Sequence, residues 1–135
     1  MERKASRGLR NCNPGNIRRS KDKWQGLREK QTDRSFFQFV SMPYGYRALM
    51  RTLQSYRWKW KCDTIAHFIH RWAPSNENDT KAYIASVCRD MGVSSDYVPD
   101  VEDRETMCRF AAAISKVENG VPAVMADVEA GWELL

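Results

Sequence analysis

"RNCNPGNIRRSKDKWQGLREKQTDRSFFQFV", residues 10–40, is the segment on which the architecture turns, because everything after it reads as helix. Asn13-Pro14-Gly15-Asn16 is written as a tight turn: Pro14 presets φ at the second position and Gly15 accepts positive φ at the third. "NIRR" at 16–19, "WQGLRE" at 24–29 and "SFFQFV" at 35–40 are the only strand-like runs. Two or three short strands separated by loops are expected there. A small N-terminal β region packed on about five helices makes an α+β domain, with its cleft between the two parts.

The helical body is read from its apolar spacing. Tyr46, Leu49, Met50, Leu53, Tyr56 and Trp60 recur at three- and four-residue steps, which predicts a helix from about 43 to 60 with Ser41 as cap. Ile65, Phe68, Ile69 and Trp72 predict a second, capped by Asp63 and stopped by Pro74. Tyr83, Ile84, Val87, Cys88 and Met91 predict a third, between Asp79 as cap and Gly92. A fourth starts near Asp103 and stops at Gly120, and Pro122 opens a fifth toward Leu135.

At 135 residues the chain is one domain's worth, residues 1–135, and its 42% hydrophobic and 29% charged residues are those of a globular protein. No apolar run approaches membrane-spanning length, and the first residues lack the apolar stretch of a secretory signal, so cytoplasmic synthesis is expected. The four cysteines show no paired spacing, which suggests reduced thiols. Residues 1–60 hold 15 Lys and Arg against 4 Asp and Glu, a net of +11, while residues 61–135 hold 7 against 13, a net of −6. Such a basic half calls for an anionic partner, and nucleic acid or carboxylate-bearing peptidoglycan would serve equally.

Glu118 is the candidate for chemistry. At 100° per residue it lies about 20° from Ala111 and about 40° from Ile114, on the apolar stripe of the fourth predicted helix. A carboxylate there sheds hydration, which favours the neutral form that a general acid needs. The bland alternative is a side chain bending into water from the last helical turn. His67 and His70 with Cys62 have no metal-site spacing and no fourth ligand, so no metal is expected.

"RGLRNCNPGNIRRSKDKWQGL" with "QTDRSFFQFVSMPYGYRALMRTL" and "TIAHFIHRWAPSNENDTKAYIASV" resembles phage and prophage proteins of the lysozyme-like superfamily. More distantly the chain is similar to glucosaminidase-type peptidoglycan hydrolases. "ISKVENG" resembles the segment that carries the catalytic Glu in lysozyme-like folds. That helix usually precedes the β region, so its place near the C-terminus implies a circular permutation.

The resemblance implies a peptidoglycan glycosidase, lysozyme or lytic transglycosylase, with Glu118 as general acid and Asp33 where the hydrolases place a hairpin Glu. Glu29 and Glu77 are the other acids considered for Asp33's role. Asn13 and Asn16 would lock the turn or line the cleft, Trp24 would offer a face to a sugar ring, and Arg18 would meet peptide-stem carboxylates. Asn76, Glu77 and Asn78, on a loop before a helix, and Tyr83 complete the candidate binding set. Trp72 reads as core. No cofactor is implied. The expected partners are peptidoglycan glycan strands and a phage particle or pore-forming protein for delivery. Two rival readings are a non-catalytic phage structural or wall-binding protein and, less favoured for want of a recognition motif, a nucleic-acid binder.

Overall fold

The computed structural model describes residues 5–135. Among them six helices follow one another without a sheet: α1 (Arg7–Arg10), α2 (Met42–Trp58), α3 (Ile65–Trp72), α4 (Thr80–Met91), α5 (Arg104–Asn119) and α6 (Met125–Glu133). The expected α+β, lysozyme-like architecture with an N-terminal β region is thereby corrected to an almost entirely helical one. The chain between α1 and α2 is irregular, and it meets strand geometry only in two isolated antiparallel bridges, Arg18–Phe36 and Leu27–Phe39.

Side chains explain why no sheet grows from those bridges. Gln38 N–H donates to Gln31 Oε1 at 2.8 Å, Thr32 N–H to Gln38 Oε1 at 2.6 Å, and Gln31 Nε2 to the Gln38 carbonyl at 2.8 Å. Asn13 Nδ2 takes the Phe37 carbonyl at 2.9 Å. Backbone groups satisfied in this way need no neighbouring strand. Phe37 and Phe39 instead bury themselves with Ala48 of α2, against Ile17, Trp24, Leu27 and Tyr44.

The helices begin where short polar side chains can cap them. Asp79 Oδ1 accepts the Ala82 N–H at 3.1 Å, and Asp103 Oδ2 accepts the Thr106 N–H at 2.9 Å. α3 is capped by Thr64, whose Oγ1 accepts the His67 N–H at 3.1 Å, rather than by the expected Asp63. α6 begins at Met125, nearly a turn past Pro122, and α1, which the sequence pattern did not predict, is capped by Ser6.

One core unites the helices. Leu49, Met50 and Leu53 of α2, Phe68 and Ile69 of α3, Val87 of α4, Phe110 and Ile114 of α5 and Val128 of α6 are fully buried in it. The Phe68 and Phe110 rings stack with centroids 5.5 Å apart. Within it the buried Tyr46 Oη and Ser115 Oγ stand 2.8 Å apart and pin α2 to α5. No helix among the described residues is long and apolar enough to cross a membrane.

Candidate active site

Gly120, at φ 72°, ends α5 and leaves Glu118 half-buried in its last turn. The carboxylate accepts two hydrogen bonds, from Asn16 Nδ2 to Oε1 at 2.9 Å and from Tyr83 Oη to Oε2 at 2.7 Å. Tyr83 is buried on α4, and its oxygen accepts the Trp72 Nε1–H at 3.1 Å. Burial first, and then the charge and hydrogen bond of Glu118, push the Tyr83 hydroxyl far above the usual phenol range, so it stays a donor. Glu118 is thus held on one side by an N-terminal asparagine and on the other by a Trp72–Tyr83 relay.

The turn that carries Asn16 is built for the purpose. Asn16 N–H closes it on the Asn13 carbonyl at 3.0 Å, and Asn119 Nδ2 takes the Pro14 carbonyl at 2.9 Å, tying the turn to the end of α5. The expectation of positive φ at Gly15 is corrected: the left-handed residues here are Cys12 at φ 50° and Asn16 at φ 49°. Glycine at 15 allows close approach, since a Cβ there would stand 3.0 Å from the Trp72 ring and oblige it to shift. Asn16 carries two costs at once, a left-handed backbone and a buried Oδ1 without a hydrogen-bond partner among the described residues. An unsatisfied buried acceptor alone costs roughly 1–3 kcal/mol. What the geometry gains in return is the bond from Nδ2 to Glu118, and strain of this kind gathers at functional sites.

A cleft of about 310 Å³ opens over Glu118, lined among others by Asn16, Arg18, Phe36, Thr52, Tyr56, Trp72, Glu77 and Asn78. Of the expected site residues, Glu118, Asn16, Arg18 and Glu77 therefore share one cavity, and Tyr83 touches it through Glu118. Arg18 Nη2 and Glu77 Oε2 stand 3.4 Å apart across its exposed rim. Asn76 is exposed and does not line it; its neighbour Asn78 does. Asn13 is fully buried beneath the turn, where its side chain bonds Ile17 and Phe37 backbone. Trp24 faces a separate groove, and its Nε1 is buried without a partner among the described residues.

Asp33 is placed elsewhere, outside the Glu118 cleft. Arg7 Nε and Nη2 grip its two oxygens at 2.7 Å each, Asn11 Nδ2 adds a bond at 2.9 Å, and Ser35 and Phe36 N–H groups add two more at 2.9 and 3.0 Å. The Arg7 bond foremost, with Asn11 and the two backbone donors, holds this carboxyl well below the usual range. Asp33 clamps the irregular segment to α1. Because its folded-state pKa is depressed, protonation favours the unfolded chain, and the stability it contributes is full above about pH 4 and lost as pH falls below that. Melting temperature should therefore drop steeply below about pH 4. Asp33→Asn should melt lower at neutral pH and show a shallower acid limb, which circular dichroism melts across pH would read; an unchanged acid limb would remove Asp33 as the clamp.

No family model matches the chain. Protein P5 of Pseudoalteromonas phage PM2 is 36% identical to it over 133 residues, covering 96% of this chain and 81% of that protein. The chain belongs to the Protein P5 family. At that coverage the N-terminal turn and the end of α5, which meet at Glu118, both fall within the shared sequence.

Of the cleft residues of this P5-family chain, Phe36, Thr52 and Tyr56 went unassigned in the sequence, and Trp72 read as core. Trp72, Thr52 and Tyr56 sit at helical spacings that suit core packing, and Trp72 and Tyr56 do pack edge to face at 6.3 Å. The signal that separates them from core is tertiary: the Asn13–Asn16 turn lies across their helices and leaves one edge of each open.

Proposed function

We propose that the protein is a glycosidase that cleaves the glycan strand of peptidoglycan, with Glu118 as the general acid. The observation that carries this reading is the pair of bonds on Glu118: a strained Asn16 and a buried Tyr83 aim one carboxyl into a cleft. Both partners are neutral donors, and a carboxyl has about four lone-pair sites. Glu118 can therefore keep both bonds while passing a proton to the leaving glycosidic oxygen and recovering it. Asp33, locked to a guanidinium, cannot do this.

Glu77 takes the second carboxylate's part in this reading, as the one other acid lining the cleft. It stabilises the oxocarbenium-like state or positions the attacking hydroxyl; its distance from Glu118 in the bound state sets the stereochemistry. Trp72, Tyr56 and Phe36 provide ring faces for the sugars, and Asn16, Asn78 and Thr52 provide amide and hydroxyl groups for their N-acetyl and hydroxyl substituents. The "ISKVENG" resemblance and the phage family both support a lytic or virion-borne role, delivered in a particle or through a pore-forming partner.

Incubated with purified peptidoglycan, the protein is expected to release either new reducing ends, the mark of hydrolysis, or anhydro-sugar ends, the mark of intramolecular transfer. Binding to the strand with no new ends of either kind would overturn catalysis. That outcome would favour the second reading, a phage structural or wall-binding protein, for which the structural use of Asp33 is the supporting observation.

A further inference from the structure

A second groove, of about 640 Å³, runs beside the Glu118 cleft, and Thr52 and Tyr56 line both. The two adjoin at these residues of α2. The second has a distinct chemistry: Lys23, Arg47, Arg51 and Lys59 line it, and Asp22 is the only acid among its lining residues. None of the four cations lies within salt-bridge distance of a carboxylate among the described residues, whereas Arg7 and Arg18 each have an acidic partner.

The arginines are held open as well as unpaired. Arg47 and Arg51 stand one turn apart on α2, where their side chains are neighbours. Arg47 Nε donates to the Leu134 carbonyl at 3.1 Å, and Arg51 Nη1 donates to Gln54 Oε1 at 3.0 Å. Both bonds fix a guanidinium without neutralising it. Burial, and then repulsion from Arg51, lower the affinity of Arg47 for its proton, the mark of a cation without a counter-charge. Trp24, Tyr56 and Trp58 supply apolar faces between the charges.

We infer that this groove binds the carboxylates of the peptide stems borne by a glycan strand whose sugars occupy the Glu118 cleft. The inference rests on the glycosidase reading. Its own warrant is the change of chemistry between the two adjoining grooves. The narrower cleft offers rings, amides and carboxyls, with its one cation, Arg18, already paired to Glu77, as a neutral sugar backbone requires, and the wider one offers two guanidinium and two ammonium groups without a carboxylate partner, as a branch carrying carboxylates requires. Guanidinium forks bind carboxylates through two parallel hydrogen bonds, so discrete acidic branches suit them well.

The test compares two soluble glycan strands of equal length, one with its peptide stems and one stripped of them by amidase, with the lactyl carboxylates so exposed converted to amides. Titration calorimetry uses the full chain carrying Glu118→Gln, so that neither strand is consumed. The intact strand is expected to bind about tenfold or more tightly than the stripped one. Adding Arg51→Ala and Lys59→Ala together should bring that ratio close to one in a protein that still melts cooperatively. Equal affinity of the parent protein for both strands would overturn the stem-binding groove while leaving the glycosidase reading in place. Binding of neither strand would overturn both. A ratio that survives the double substitution would move stem recognition away from these residues. Tighter binding to single-stranded DNA of similar length would assign the groove to nucleic acid instead.

Discussion

Glu118→Gln is expected to lower glycan cleavage by about 10²–10⁴-fold, the usual worth of a general acid, while the protein stays folded. The amide has the shape of the carboxyl but no proton to give. Its packing consequences are small, because the new NH₂ can face Asn16 if the Asn16 amide turns over. The Asn16 Oδ1, which has no partner among the described residues beside the native carboxylate, would then accept a bond. A turbidity assay on stripped cell walls, with thermal melts alongside, separates chemistry from stability. Activity near wild type would end the assignment of Glu118 as the acid. Glu77→Gln is the companion measurement: a comparable loss would indicate a two-carboxylate mechanism, and a small one would leave Glu118 acting alone.

Asn13→Ala is expected to destabilise the fold by about 3 kcal/mol or more. The side chain accepts the Ile17 N–H at 2.9 Å and donates to the Ile17 and Phe37 carbonyls at 3.0 and 2.9 Å. Alanine would leave the Ile17 N–H and the Phe37 carbonyl without partners beneath a fully buried position, while the Ile17 carbonyl keeps the Phe37 N–H. Urea unfolding would show the loss as a lower midpoint with a similar slope. Asn13→Asp keeps the acceptor for Ile17 N–H but loses both donors, so it should also unfold early. A loss of less than about 1 kcal/mol for Asn13→Ala would mean that the turn holds itself together without this residue.

The helical body was legible because its signals are local. An Asp followed by a run with three- and four-residue apolar steps and a closing Gly describes α4 almost to the residue. The same logic put Glu118 at the margin of an apolar stripe, and it stands half-buried there. The first forty residues misled because strand propensity and strand formation differ. "SFFQFV" alternates as a strand should, yet Gln31, Gln38 and Asn13 take the backbone groups that a neighbouring strand would need. No periodicity reports where a side-chain amide will point. Asp33 shows the same gap: its fate depends on Arg7, 26 positions away in sequence, and without that pairing it read as a second catalytic acid.

The ties between the Asn13–Asn16 turn and the end of α5 have a consequence for how the protein is made. Asn16 meets Glu118 across 102 positions of sequence, and Asn119 meets Pro14 across 105. On the ribosome, at about 5–20 residues per second, the turn emerges roughly 5–20 s before the carboxyl it must orient. Through that interval Glu118 does not yet exist and Asn16 has nothing to hold. A nascent or prematurely terminated chain that stops short of α5 therefore carries none of the assembled cleft. On the glycosidase reading, the cell making the protein would be shielded from that chemistry until synthesis of the helical body is all but finished.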